Sequence, residues 1–295
     1  MDHKESFLRY LLVEKRYSPR TIESYRNDIN QFSGFLESTG HSLLVSDINS
    51  QDIRAWIVSL MENGCTAVSV HRKISCLRSF YRWLTREGLV NGNPMEKVIL
   101  PKKKKKLPVF VAEDSLEKLL DGDYFGDDYR GVLNRTIIEL LYVTGMRRAE
   151  LIGLKTGDID LGSRVLKVTG KRNKQRIIPI LAAFSETLDT YMKIRAERYG
   201  VGAGDWLFIT DTGRRIYDKY VYNVVRAYLE QVTTIEKKSP HVLRHSFATH
   251  MLNRGADLNS IKEILGHANL SATQVYTHNT FEKLKKVYKQ AHPRA

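Results

Sequence analysis

The sequence predicts a mainly helical protein with two domains, the second of which contains a small β-hairpin. Three observations support this prediction. Apolar residues recur at helical spacing through the first part of the chain, a lysine run bounded by prolines interrupts the pattern near residue 100, and two short β-prone runs flank a polar turn further on. A length of 295 residues also favours roughly two domains.

Four apolar stripes at helical spacing indicate four helices in the first domain, residues 1–100. Ser18-Pro19 is a cap followed by a proline in the first turn and marks the start of the second helix. Gly64 and Gly88 mark the ends of the third and the fourth. The stripes are Phe7, Leu8, Leu11 and Leu12; Ile22, Tyr25, Ile29, Phe32 and Phe35; residues 53–61; and Val70, Ile74, Leu77, Tyr81 and Leu84. The other face of the fourth helix carries Arg72, Arg78, Arg82 and Arg86, a spacing that suits a row of phosphates or a solvated surface.

The net charge of +14 favours a polyanionic partner, with nucleic acid ahead of an anionic membrane. No apolar run is long enough to span a bilayer, and the first residues lack the apolar core of a signal peptide. Cys65 and Cys76 are too few for a disulfide framework and are expected to be small core residues. These features together predict a cytoplasmic location with no membrane partner.

Five consecutive lysines at 102–106 lie between Pro101 and Pro108. Prolines disfavour a helix in the residue before them, and like charges repel, so this segment is expected to be extended. We interpret residues 101–108 as a linker between the first domain and a second domain at 109–295. Eight extended residues span at most about 28 Å, enough to let two domains grip opposite sides of a duplex. A solvated spacer is the simpler alternative, and a nuclear localisation signal fits less well.

The second domain is predicted to be mostly helical with a short β-hairpin. A strongly apolar run at 132–143 indicates a buried helix that ends at Thr144-Gly145. The runs at 164–168 and 176–180 have the composition of strands, and the polar turn between them is rich in hydrogen-bond donors.

Side chains suited to chemistry on a phosphodiester are spread over this domain. Arginines bind phosphate through forked donors, histidines transfer protons, and a tyrosine can attack as a nucleophile. A tyrosine has a pKa near 10, so it needs a base or a strong positive field to attack at neutral pH. The candidates are Arg147, Arg244, His241, His267 and Tyr276, with Lys171 as a further source of positive charge.

The arginine and lysine candidates have simpler interpretations. Arg147 is also placed to form a surface salt bridge with Glu150, and spacing alone does not separate it from the neighbouring Arg148. A lysine in a turn is usually just solvated, which applies both to Lys171 and to its alternative Lys174.

The histidine candidates also have alternatives. His241 and His245 are four residues apart on a predicted helix, a spacing that occurs in zinc sites. Val242 stands where a zinc protease has glutamate, and Arg244 on the same face would repel a cation, so a metal site is disfavoured. His267 follows a helix end and is alternatively a simple cap at that terminus.

At five segments the chain resembles the tyrosine recombinase, or phage integrase, family, and within it the Xer-type site-specific recombinases. The segments are Tyr17-Ser18-Pro19-Arg20-Thr21-Ile22-Glu23-Ser24-Tyr25, Thr144-Gly145-Met146-Arg147, His241-Val242-Leu243-Arg244-His245, Leu265-Gly266-His267 and Tyr276. Together they extend over nearly the whole chain and stand in the order that the family has them.

This resemblance implies a helical, SAM-like core-binding domain over 1–100 and a mixed α/β, mostly helical catalytic domain over 109–295. It also implies roles for individual residues. Tyr276 attacks the scissile phosphate and forms a 3′-phosphotyrosyl link, Arg147, Arg244 and His267 hold the phosphate oxygens, His241 handles the tyrosine proton, and Lys171 protonates the leaving 5′ oxygen. His245 and His250 are expected to be structural.

The resemblance further implies double-stranded DNA as the partner. Four copies, identical or paired with a related recombinase, are expected to assemble on two DNA sites. The stripe of Phe281, Leu284, Val287 and Tyr288 is a candidate subunit contact, and Tyr288 is also the alternative nucleophile. Chromosome-dimer resolution is the expected task. An integrase of a phage or mobile element, a type IB topoisomerase-like enzyme and an inactive DNA-binding module are the alternatives.

The sequence also predicts independence from metal and from cofactors. It contains no phosphate-binding loop, no dinucleotide fingerprint and no acidic cluster with metal-ligand spacing. We therefore expect DNA strand cleavage to continue in excess EDTA, measured as covalent protein–DNA adduct on a denaturing gel. Loss of the adduct in EDTA with recovery on adding Mg²⁺ or Mn²⁺ would contradict the mechanism.

Overall fold

The computed structural model describes residues 3–103, 109–170, 173–200, 204–266 and 278–294, with the backbone alone for 278–284. The chain divides into two compact units, Met1–Lys106 and Leu107–Ala295. The prediction of a mainly helical protein with a small β-hairpin is confirmed. Among the described residues, no helix is both long enough and apolar enough to cross a bilayer.

The first unit is built from helices around one apolar core. Ser18 caps the second helix by accepting a hydrogen bond from the Thr21 amide (3.3 Å), as its position before Pro19 predicts. Cys76 is buried in the core, as expected, whereas Cys65 is half-buried. The helices are α1 (His3–Val13), α2 (Pro19–Ser38), α3 (Ser50–Glu62) and α4 (Ala67–Arg86).

The four predicted stripes supply most of the apolar core of this unit. Three large apolar members are exposed instead: Leu12 on α1, and Val58 and Met61 on α3. The prediction that Leu12 belongs to the buried stripe of α1 is therefore wrong.

The arginine face predicted for α4 is interrupted by contacts inside the unit. The Nη2 of Arg72 donates to the buried carboxylate of Asp28 (2.7 Å), and the Nη2 of Arg78 donates to the carbonyl of Val98 (3.2 Å). Arg82 is exposed. Arg72 therefore has a partner inside the unit, because a buried aspartate needs a cationic partner and recruits one from this face. The two alternatives for the face, a row of phosphates or a solvated surface, stay predictions.

The second unit packs helices around a small sheet. Its helices are α5 (Glu113–Asp121), α6 (Tyr129–Thr144), α7 (Arg148–Ile152), α8 (Ala182–Tyr199), α9 (Asp218–Val232), α10 (Pro240–Asn253), α11 (Leu258–Leu265) and α12 (His278–Ala291), with a 3-10 turn at Thr156–Asp158. Its strands are β1 (Ile159–Asp160), β2 (Val165–Thr169) and β3 (Gln175–Pro179), paired antiparallel in the order β1-β2-β3. The predicted hairpin is β2–β3. Strand β1 is not predicted from the sequence, because a strand of two residues is too short to show an alternating pattern.

Helix α6 lies at the centre of the second unit. It is buried nearly all round, which is why its sequence reads as an apolar run rather than an amphipathic stripe. The helix ends at Gly145, whose φ of 57° lies in the left-handed region. A Cβ at that position would lie 2.5 Å from the ring of Phe247 and 2.7 Å from Leu265. Both the backbone conformation and the close packing therefore require glycine here.

Helix α12 packs onto its own unit. Tyr288 is 1% exposed, and its hydroxyl donates to the carbonyl of Val143 at the end of α6. The ring of His292 lies between those of Tyr142 and Phe247, and burial lowers its pKa to about 3. The apolar surface of Tyr288 is therefore covered within the chain, and the expected subunit contact stays a prediction.

Val287, another residue of the predicted stripe, packs against the same core. The side chains of Phe281 and Leu284 lie outside the described residues. Burial also removes Tyr288 as an alternative nucleophile: desolvation raises its pKa well above the ordinary value, and its oxygen is bonded to a backbone carbonyl.

These contacts predict that Tyr288→Ala destabilises the second unit. Truncating a fully buried aromatic side chain costs about 3–5 kcal/mol in the free energy of unfolding. Guanidinium denaturation followed by circular dichroism measures the loss, and Lys289→Ala, at an exposed neighbouring position, is the control. Identical denaturation midpoints for the two variants would show that α12 does not dock as described.

Candidate active site

The end of α6 presents Arg147 to the surface. The Thr144 hydroxyl donates to the Leu140 carbonyl (2.6 Å) and accepts from the Met146 amide (3.2 Å), while Gly145 turns the chain. Met146 is fully buried and anchors the turn in the core. Arg147 follows with an extended backbone and forms the N-cap of α7. The threonine, glycine, apolar, arginine order thus has a physical basis at each position.

The carboxylate of Glu150 orients Arg147. Its Oε2 accepts from the Arg147 amide (2.8 Å), and its Oε1 accepts from Arg147 Nη1 (3.0 Å). The side chain of Arg147 is 42% exposed, whereas that of Glu150 is only 5% exposed. The salt bridge considered from sequence is therefore present, but its acid is buried, so the contact holds the arginine in place while leaving part of its guanidinium accessible.

Arg148 is engaged elsewhere. Its Nε lies 3.0 Å from the carboxylate of Asp218 at the start of α9. Sequence spacing left Arg147 and Arg148 undecided. The structure separates their environments: one joins the buried network at the end of α6, and the other forms a half-exposed ion pair to a neighbouring helix.

Arg244 on α10 is held by backbone carbonyls from two other segments. Its Nη1 donates to the carbonyl of Gly145 (2.7 Å), and its Nη2 donates to the carbonyl of Leu265 at the end of α11 (2.9 Å). Desolvation, followed by the positive charge of Arg147, lowers the pKa of Arg244 to about 10. The two arginines are therefore close enough to interact, in a site where positive charge exceeds negative.

His241 lies in the first turn of the same helix, which begins at Pro240 as the sequence predicts. Desolvation, followed by the charges of Arg148, Lys237, Arg244 and Arg147, lowers its pKa below the ordinary value. These surroundings favour the neutral form of His241, which can accept a proton.

The other two histidines of α10 differ from each other. His250 is buried between the hydroxyl of Tyr142 (2.9 Å) and the carbonyl of Val111 (3.1 Å), which gives it the expected structural role. His245 is exposed instead, so burial provides no structural role for it. In the described part of the chain, no three His, Cys, Asp or Glu side chains are grouped as metal ligands would be.

Lys171, His267 and Tyr276 lie outside the described residues. The structure does describe Gly170, which precedes Lys171, and Gly266, which precedes His267. Gly170 donates to the carbonyl of Lys174 (2.7 Å) and closes the β2–β3 hairpin. Gly266 ends α11 with a φ of 65°, the left-handed conformation predicted for this glycine. The structure thus brings together Arg147, His241 and Arg244.

The sequence analysis did not identify the buried ion pair between Arg176 and Glu150, which lies next to these residues. Arg176 on β3 is buried and binds Glu150 with both Nη atoms, at 3.1 Å and 2.9 Å. Burial alone would raise the pKa of Glu150, but the hydrogen bonds and charge of Arg176, together with hydrogen bonds from Arg147, lower it. The sequence does contain a signal for this ion pair. Arg176 and Ile178 are two residues apart on a strand, so both side chains lie on the buried face, and a buried arginine requires a partner.

The chain matches two known family profiles and several full-length relatives. The profile of the phage integrase family matches residues 109–283, and that of the phage integrase N-terminal SAM-like domain matches residues 5–88. The chain is 39% identical over 302 residues to the tyrosine recombinase XerC of Pelotomaculum thermopropionicum, covering 99% of this chain and 98% of that protein. It is also 39% identical over 293 residues to the tyrosine recombinase XerC of Bacillus pumilus, covering 98% and 95% of the two chains.

Solved structures show the same fold at lower identity. The integrase of transposon Tn1549, in complex with circular intermediate DNA, has a TM-score of 0.71 at 17% identity and covers 96% of this chain and 98% of its own. The XerH site-specific recombinase bound to its difH substrate has a TM-score of 0.70 at 24% identity and covers 96% and 83%. Both family profiles and the full-length relatives lead to one conclusion: the chain belongs to the phage integrase family of tyrosine recombinases.

Proposed function

We propose that the protein is a site-specific DNA recombinase of the Xer type, which cuts and rejoins double-stranded DNA through a 3′-phosphotyrosyl intermediate. The observation that carries this proposal is that Arg147 and Arg244 lie together where the ends of α6 and α11 meet α10. His241 lies near both arginines, in surroundings that favour its neutral form. The full-length relatives named XerC favour the Xer type over an integrase of a mobile element.

The two arginines suit a single phosphate. Each is fixed by bonds that use only part of its guanidinium, Arg147 by Glu150 and Arg244 by two carbonyls. Their remaining donors are available for the non-bridging oxygens of a phosphodiester. Because the donors are held in place before substrate arrives, they stabilise negative charge in the transition state without reorganisation. We propose His267 as a further donor to the same oxygens.

The reaction balances within the proposed residues. The hydroxyl oxygen of Tyr276 attacks phosphorus and its proton passes to His241, whose lowered pKa keeps it available as a base. The bond from phosphorus to the 5′ oxygen breaks, and Lys171 supplies the proton that makes a 5′ hydroxyl. A second 5′ hydroxyl then attacks the phosphotyrosine, and rejoining reverses each transfer.

Assembly and location follow from this function. We propose that four copies, alone or with a related recombinase, act on two DNA sites, and that the task is resolution of chromosome dimers. The cytoplasm is the proposed compartment, because chromosomal DNA lies there in bacteria, the source of the named relatives. The stripe of Phe281, Leu284, Val287 and Tyr288 stays the proposed subunit contact, although Tyr288 is buried within its own chain.

The nucleophile is tested by Tyr276→Phe, which removes only the hydroxyl. Binding to the DNA site should persist because it depends on many basic contacts, while covalent linkage to nicked suicide DNA should vanish. Denaturing gels measure the adduct, and sequencing of the trapped DNA identifies the site. An adduct formed by Tyr276→Phe at the wild-type rate would exclude this tyrosine and the mechanism built on it.

The phosphate clamp is tested by comparing two neighbouring arginines. Arg147→Lys and Arg244→Lys keep the charge but lose the planar fork, and each should reduce cleavage by about 10²–10³-fold. Arg148→Lys is the matched control, because its side chain pairs with Asp218 outside the network. Single-turnover rates at saturating DNA give the comparison. Equal losses at positions 147 and 148 would mean that the clamp has been misassigned.

A further inference from the structure

Arg176 has no part in the proposed chemistry, yet its guanidinium is among the most constrained groups near the site. Its side chain is 7% exposed. Both Nη atoms donate to the two oxygens of Glu150, at 3.1 Å and 2.9 Å, and Nε donates to the carbonyl of Ile264 at 2.7 Å. Such a planar, three-point arrangement fits arginine alone, since a lysine has a single charged atom and no fork.

The first segment that Arg176 reaches is the start of α7. The carboxylate that it binds is the same one that accepts from the amide and Nη1 of Arg147. Two arginines therefore share Glu150, and the position of its oxygens depends on both. Removal of Arg176 would leave the buried carboxylate of Glu150 paired with Arg147, and that arginine would be drawn inward.

The second segment is the end of α11. Ile264 and Leu265 are successive residues, and their carbonyls accept from Arg176 and Arg244 respectively. The guanidinium also packs on the backbone beyond them: a Cβ at Gly266 would lie 3.1 Å from Arg176 Nη1. In the sequence, the proposed phosphate donor His267 is the next residue.

The third segment is the β2–β3 hairpin, to which Arg176 itself belongs, paired in register with Val168. A Cβ at Gly170 would lie 3.3 Å from Glu150 Oε1, so the hairpin closes directly over the ion pair. In the sequence, the proposed proton donor Lys171 follows Gly170.

We propose that Arg176 is a positioning residue for strand cleavage, which sets the relative placement of Arg147, of Gly170 in the β2–β3 hairpin and of Gly266 at the end of α11. The proposal rests on the proposed recombinase function. The three hydrogen bonds of Arg176 join segments that are far apart in the chain and that carry different residues of the proposed active site. A shift of about 1 Å in such groups costs roughly 10²-fold in rate.

The test compares Arg176→Lys with Arg195→Lys. Arg195 is an equally buried arginine of the same unit, whose Nη2 donates to the carbonyls of Gly204 (3.0 Å) and Trp206 (2.9 Å). We expect both variants to lower thermal stability. Only Arg176→Lys should lower the single-turnover cleavage rate at saturating DNA, by about 10²-fold, with DNA affinity nearly unchanged. Equal effects of the two variants on cleavage, or a wild-type rate in Arg176→Lys, would overturn the proposal.

A second variant protects the test against misfolding. Glu150→Gln combined with Arg176→Met removes both charges, so that no unpaired ion remains buried. The folded double variant should lose cleavage to a similar extent, and a wild-type rate would again overturn the positioning role.

Hydrogen exchange supplies a readout that needs no activity. The amides of Gly170 and Gly266 donate to Lys174 and Glu263 carbonyls next to the ion pair. They should exchange faster in Arg176→Lys than in the wild type and be unaffected by Arg195→Lys. Unchanged exchange in Arg176→Lys would contradict positioning. If the wild type forms no DNA adduct, the recombinase proposal fails by itself, while exchange still decides the role of Arg176.

Discussion

The site depends on one buried carboxylate. Glu150 accepts hydrogen bonds from the backbone and side chain of Arg147 and from both Nη atoms of Arg176. A buried charge is tolerated only when its partners are in place, so α7 and β3 must dock correctly before the carboxylate is stable. The geometry of Arg147, the proposed phosphate ligand, is thereby coupled to the docking of α7 against β3. The same four hydrogen bonds both stabilise the buried carboxylate and hold Arg147 in place.

Arg244 complements this network by a different means. Its Nη atoms donate to two backbone carbonyls, which hold the positive charge of Arg244 in place. Burial first, and the neighbouring positive charges second, lower the pKa values of Arg244 and His241. A phosphodiester bound between these groups would bring negative charge next to them. In the proposed function this charge arrangement stabilises the substrate phosphate and the transition state.

The C-terminal helix shows what a sequence pattern leaves open. An amphipathic stripe predicts that one face of a helix is covered, but not by what, and Tyr288 of α12 is buried against α6 and α10 of its own unit. The arginines of α4 give the same lesson in the first unit. Their spacing suits an external polyanion, yet Arg72 is recruited by Asp28, a residue 44 positions away. Partner choice depends on distances that no local pattern contains.

The sequence by itself determined the helical class, the positions of α2, α4, α6 and the β2–β3 hairpin, and the candidates Arg147, His241 and Arg244. It could do so because periodicity, caps and glycine stops are local signals, encoded within a few residues of where they act. Only the tertiary structure decided that Arg148 pairs with Asp218, that Tyr288 is buried, and that Arg176 and Glu150 join three distant segments. Those outcomes arise from packing between residues that are far apart in the chain. A buried polar group needs a hydrogen-bond partner, and the tertiary structure decides which partner lies close enough.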